Sequence, residues 1–149
     1  MSTDAKVAKK LMQTLQDGRD GYKKGADKLT ESSAPDLAAT FRRYSQQRAT
    51  FYDEIQQMAE NYGDDLDESG SFVATLHRGW MTMKDAVTGS GPEAILDTAE
   101  QGEDHAVGDY KEALASDISA EFRSVVERQN TAVRVAHDEI RILRNTHKS

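Results

Sequence analysis

At 149 residues the chain has the size of a single domain, long enough to bury one core without staples, and its 37% hydrophobic and 30% charged residues mark a folded chain rather than a disordered one. Cysteine is absent, which excludes disulfides, thiolate metal ligands and a cysteine nucleophile and leaves a reducing compartment open. The net charge of −7 is uneven, with 10 basic and 6 acidic groups in residues 1–52, 2 and 14 in residues 53–109, and 7 and 6 in the remainder; this distribution disfavours the phosphate neutralisation on which nucleic-acid binding depends.

No stretch approaches the roughly 20 apolar residues of a membrane span, and the lysines of residues 1–10 are not followed by a signal-type apolar run. The expected location is the cytoplasm, and the expected organisation is one domain over 1–149. Its first helix is predicted over about 4–30, because Ala8, Leu11, Leu15, Gly18, Tyr22, Ala26 and Leu29 recur at steps of three and four. Lys6, Lys9, Lys10, Lys23, Lys24 and Lys28 read as a solvated face of that helix. Gly18, Gly21 and Gly25 each cost a helix about 1 kcal/mol relative to alanine, which implies close packing by large neighbours.

The second helix is predicted over 35–62, introduced by Ser33 as N-cap, with Pro35 in the first turn and Asp36 at the positive end of the dipole. Its stripe is Leu37, Phe41, Tyr44, Arg48, Phe51, Ile55, Met58 and Tyr62. The acids Asp64, Asp65, Asp67 and Glu68 follow, without the spacing of a calcium loop. A crossover helix is expected over 71–88, with Val73, Leu76, Trp80, Met83 and Val87 on one side. Its surplus of bulky apolar side chains, Phe72, Trp80 and Met81, suggests a homodimer contact.

A third helix is predicted over 92–115, with Ser90 and Glu93 at capping-box spacing and a stripe of Leu96, Ala99, Glu103, Ala106, Tyr110 and Leu114. The fourth covers 119–145, with Val126, Gln129, Val133, Ala136, Ile140 and Leu143 inward. Adding 88 to positions 8, 11, 15, 18, 22 and 26 of helix one reproduces the helix-three stripe, and adding 85 to positions 41, 44, 48, 51, 55 and 58 of helix two reproduces that of helix four. Tyr22-Lys23 then aligns with Tyr110-Lys111, and Asp53-Glu54-Ile55 with Asp138-Glu139-Ile140, which points to an internal repeat. Two tight hairpins joined by a long connection lead to an all-α fold, a ferritin-like up-down-down-up four-helix bundle with an extra helix in the crossover.

Asp17-Gly18 with Gly21-Tyr22, Gly70-Ser71 leading to Leu76-His77-Arg78-Gly79-Trp80, Glu103-Asp104 with Tyr110 and Ala113-Leu114, and His137 with Ile140 and Leu143-Arg144 carry a further signal. In these residues the chain resembles an uncharacterised bacterial family of four-helix-bundle proteins, a domain of unknown function grouped with the ferritin-like superfamily. The resemblance implies the bundle fold and a stress-related setting of the kind other ferritin-like proteins have. It implies no activity.

Carboxylate-bridged di-iron bundles need a Glu from each of two helices and a Glu-x-x-His pair from each of the other two. The residues three before His77, His105, His137 and His147 are Ala74, Gly102, Arg134 and Arg144, so the motif is missing. No catalytic constellation and no cofactor are expected. The function expected is that of a noncatalytic structural or interaction protein. The alternative is a metal-binding or redox protein with a non-standard site drawn from Glu100, Glu103, Asp104, His105 and His137, although Glu100, Asp104 and His105 fall off the core stripe and read as solvated. His137, beside its stripe, reads as a half-buried, hydrogen-bonded histidine.

Arg48 and Glu103 are the two charged residues on core stripes. Antiparallel pairing sets Arg48 level with Gly18, whose missing side chain leaves room for a guanidinium, and brings Glu103 to the same level. They are expected to meet in a bidentate pair, with Gln129 or Tyr44 nearby to satisfy remaining donors.

Overall fold

The computed structural model describes residues 2–60, 79, 80, 83 and 92–147, and among these the chain is all-helical with no strand. Its four helices are α1 (Thr3–Glu31), α2 (Pro35–Glu60), α3 (Glu93–Ala115) and α4 (Ala120–Thr146). Of the predicted crossover helix over 71–88 only residues 79, 80 and 83 are described, and Gly79 is a turn residue at φ 91°, which corrects the expectation of an unbroken helix there; the acids Asp64, Asp65, Asp67 and Glu68, and Phe72 and Met81, lie outside the described residues.

The helix ends follow local chemistry. Ser2 and Ser119 cap α1 and α4, their hydroxyls accepting from the backbone N–H of Ala5 (3.0 Å) and Phe122 (3.3 Å). Ser33 is not the N-cap of α2. It sits at φ 61° as the left-handed residue that ends α1, where Ala34 N–H bonds Leu29 O (2.9 Å) and Ser33 N–H bonds Thr30 O (3.2 Å) in a Schellman arrangement. Pro35 then opens α2 at its first position. The expected capping box at α3 is also corrected: Glu93 is the first helical residue rather than the third, and the cap position is Pro92, which has no side chain able to cap.

Hydrogen bonds fix how the helices pack. Ser45 Oγ donates to Arg19 O (2.9 Å) and Arg42 Nη2 to Thr30 Oγ1 (2.8 Å), joining α1 to α2. Thr14 Oγ1 donates to Asp109 Oδ2 (2.7 Å) and Lys10 lies 3.4 Å from Glu112, joining α1 to α3. Arg123 donates to Leu114 O (2.7 Å) and His137 meets Asp104 (2.6 Å) between α3 and α4. Arg128 donates to Glu54 (2.6 Å) and Tyr44 to Glu139 between α2 and α4. In all four pairings residue numbers climb in one helix as they fall in its neighbour, so the two helices of each of these pairings are antiparallel.

The described stripe residues are buried, apart from Met58, Leu114 and Leu143, which are half-buried. They form two apolar clusters rather than one. The first is built on Leu11, Leu15, Phe51, Ile55, Tyr110, Phe122 and Val133. The second is built on Tyr22, Leu29, Phe41, Trp80, Leu96 and Ile140. Between them, at the level of Gly18, the bundle has a polar layer.

Candidate functional site

Arg48 and Glu103 make that layer. Arg48 Nη1 donates to Glu103 Oε1 (2.6 Å) and Nη2 to Oε2 (2.8 Å), in parallel fork geometry. Their side chains are 1% and 0% exposed, so both charges are taken fully out of water. The space is made at Gly18, where a β-carbon would lie 3.1 Å from Arg48 Nη1. Burial works against the guanidinium charge, but Glu103 beside it more than offsets this and raises the Arg48 pKa above its ordinary value. A guanidinium so placed stays charged.

The N–H donors of Arg48 that the fork leaves over go to neither Gln129 nor Tyr44. Nε donates to Gln47 Oε1 (3.2 Å), and the other two polar residues serve different partners. Gln129 accepts from Tyr110 Oη (2.7 Å) and donates to Glu54 (3.1 Å). Tyr44 donates to Glu139, and burial together with that carboxylate pushes its phenol up to about 12. The residue that does lie against the pair is Tyr22, with Arg48 Cζ 5.4 Å from its ring centroid. Burial first, and then Glu103, raise the Tyr22 pKa well above the ordinary value, yet among the described residues its hydroxyl has no partner in hydrogen-bonding geometry.

His137 is 11% exposed and is gripped from two sides, Nε2 by Asp104 (2.6 Å) and Nδ1 by Asp138 (3.1 Å). Burial lowers its pKa, but hydrogen bonds to Asp138 and Asp104 prevail and raise it. Glu100 is not solvated as its position off the stripe suggested: it is 10% exposed and held by Arg144 (2.5 Å) and Arg141 (3.1 Å). Asp104 is exposed, and His105 lies on the open outer face of α3 beside Gln101, Gly108 and Glu112. Glu100, Glu103, Asp104, His105 and His137 therefore do not converge, and among the described residues no three His, Asp or Glu side chains group as a metal would require. Glu100 and Glu103 are committed to arginines, so the described residues do not fit a di-iron centre.

Trp80 is enclosed within its own chain at 2% exposure, so the expected partner surface on the crossover is without its largest side chain. The indole enters a slot between α1 and α3: a β-carbon on Gly21 would lie 2.3 Å from it and one on Gly102 2.1 Å. Beside it Gly79, at φ +91°, crosses α3 so closely that a β-carbon would come within 2.7 Å of Gln101 O. Only glycine meets both demands. Sequence reasoning assigned no role to Gly102 or to the buried Thr14–Asp109 bond, although a glycine inside α3 and a lone tryptophan are the kind of pair that signals a close seat.

No helix among the described residues is long and apolar enough to cross a membrane. Comparison with curated proteins gives no match. Residues 5–116, most of the chain, match the family described as Domain of unknown function (DUF2383), and the chain belongs to that family.

Proposed function

We propose that the protein is a ferritin-like bundle in the up-down-down-up order that has replaced metal chemistry by a structural ion pair, and that it acts in the cytoplasm as a noncatalytic structural or interaction protein in a stress-related setting. The helix order is supported by the antiparallel pairings, since α2 and α3 both oppose α1 and so run the same way. The internal repeat of stripe positions agrees with two related hairpins. The observation that carries the functional reading is the Arg48–Glu103 pair itself, 1% and 0% exposed at mid-bundle. A ferritin-like bundle places metal-binding carboxylates on inward-facing positions, and here the inward carboxylate of α3 is neutralised by a guanidinium that repels a cation.

The test is anaerobic titration with Fe(II) followed by oxygen, using untagged protein. No stoichiometric uptake is expected. Binding of two irons per chain with rapid oxidation would overturn the proposal and favour the alternative metal-binding or redox reading.

A further inference from the structure

Three redox-active rings stand in contact across the second apolar cluster. The Trp80 and Tyr22 ring centroids are 4.8 Å apart, and those of Tyr22 and Tyr44 are 5.5 Å apart. The line starts at a buried indole and ends at Tyr44, whose hydroxyl donates to Glu139, a carboxylate 42% exposed. We propose that Trp80, Tyr22 and Tyr44 form an electron-hole relay that carries a one-electron oxidation out of the bundle core to Tyr44, with Glu139 as the proton acceptor. It needs neither a metal nor a bound substrate, and so goes beyond the noncatalytic scaffold.

The direction follows from where a proton can go. A phenol becomes a stable radical only when it loses its proton together with the electron. Tyr22 cannot do this readily, because the carboxylate near its hydroxyl, Glu103, is fully buried and already accepts from Arg48 on both oxygens. Tyr22 therefore passes the hole and does not keep it. Tyr110 is also a poor stop, since its hydroxyl donates to the amide oxygen of Gln129 (2.7 Å), which is not a base at neutral pH. Of these three, Tyr44 is the one whose hydroxyl donates to a carboxylate open to water.

The steps balance. A one-electron oxidant removes an electron from Trp80, giving the indole radical cation and the reduced oxidant. Tyr44 then returns an electron to Trp80 by way of Tyr22 while its phenol proton moves to Glu139, leaving intact indole, a neutral Tyr44 phenoxyl radical and a protonated carboxyl. A small-molecule thiol from solution finally gives a hydrogen atom to the phenoxyl oxygen and becomes a thiyl radical, and Glu139 releases its proton to water.

Trp80 is the single tryptophan of the chain, so the relay can be started selectively. In the full-length protein an ultraviolet laser flash ionises Trp80 while hexaamminecobalt(III) takes up the ejected electron, and transient absorption follows the radicals. The expected result is decay of the indole radical matched by growth of a phenoxyl radical. Tyr44→Phe should abolish that growth and lengthen the life of the indole radical. Glu139→Gln should slow it by about tenfold, equivalent to about 1.4 kcal/mol of barrier. Tyr22→Phe, which removes a hydroxyl that makes no hydrogen bond, should slow it similarly with Tyr44 still the end point. A phenoxyl signal undiminished in Tyr44→Phe, or an indole radical in the wild type that decays without one, would refute the relay. Either result leaves the iron titration, and the reading it tests, unaffected.

Discussion

Gly18 of α1 faces Arg48 of α2, and the guanidinium occupies the volume that any other side chain at residue 18 would need. A β-carbon there would stand 3.1 Å from Nη1 and 3.4 Å from Cγ of Arg48, while Glu103 holds that same Nη1 at 2.6 Å and prevents it from retreating. Gly108, by contrast, has nothing within 4 Å of the corresponding position. Gly18→Ala should therefore destabilise the protein by about 1 kcal/mol, the crowding outweighing the gain in helix propensity. Gly108→Ala should stabilise it by about 0.5 to 1 kcal/mol. Urea denaturation midpoints at constant slope measure both.

That the charged stripe residues would meet was legible because the helical period is rigid and leaves little freedom in where Arg48 and Glu103 point once the hairpins are set. What surrounds them was not legible. Gln129 and Tyr44 lie at nearly the right height, but long polar side chains choose partners by local rotamer and charge: the Gln129 oxygen is taken by the Tyr110 hydroxyl, and the Tyr44 hydroxyl turns to Glu139. Trp80 escaped for a different reason. Its helical spacing with Leu76 and Met83 describes a face, whereas its burial depends on two glycines, Gly21 and Gly102, brought together only by the tertiary fold.

Removing one member of the buried pair strands the other charge. Arg48→Met and Glu103→Leu should each cost roughly 3 to 5 kcal/mol, whereas the double variant should recover much of that loss because neither charge then remains. A double-mutant cycle on chemical denaturation reads the coupling. Additive losses would show that the pair does not act as a unit.

Ser33 carries a left-handed backbone, φ 61°, that costs an L-residue about 1 to 2 kcal/mol but that glycine adopts freely. Ser33→Gly should preserve the Schellman bonds and raise stability, by up to about 1 kcal/mol after the larger chain entropy of glycine in the unfolded state is counted. A higher thermal midpoint checks it, and a lower one would show that the serine side chain contributes to the turn.

His137 makes stability depend on pH. It faces Asp104 from α3 and Asp138 and Arg141 on its own helix, and its folded pKa lies above the ordinary value of 6.5. A raised folded pKa means that the imidazolium stabilises the fold fully below about pH 6.5, the unfolded value, and that this contribution fades as pH rises through the folded pKa. The melting-temperature gap between wild type and His137→Gln should therefore be widest in mild acid and shrink above neutrality. A gap that grows with pH would invert the assignment.

The bond between Arg48 and Glu103 joins residues 55 apart in sequence, one from each hairpin. Each hairpin can form from neighbouring segments, but the fork geometry closes only when both have docked and water has left the space between them. Partial docking gives this pair its dehydration cost without its full attraction, so its contribution arrives late along the folding coordinate. The pair then acts chiefly on the rate at which the assembled bundle opens and little on the rate at which it forms. A protein built in this way resists escape from its native state more than its equilibrium stability alone would suggest.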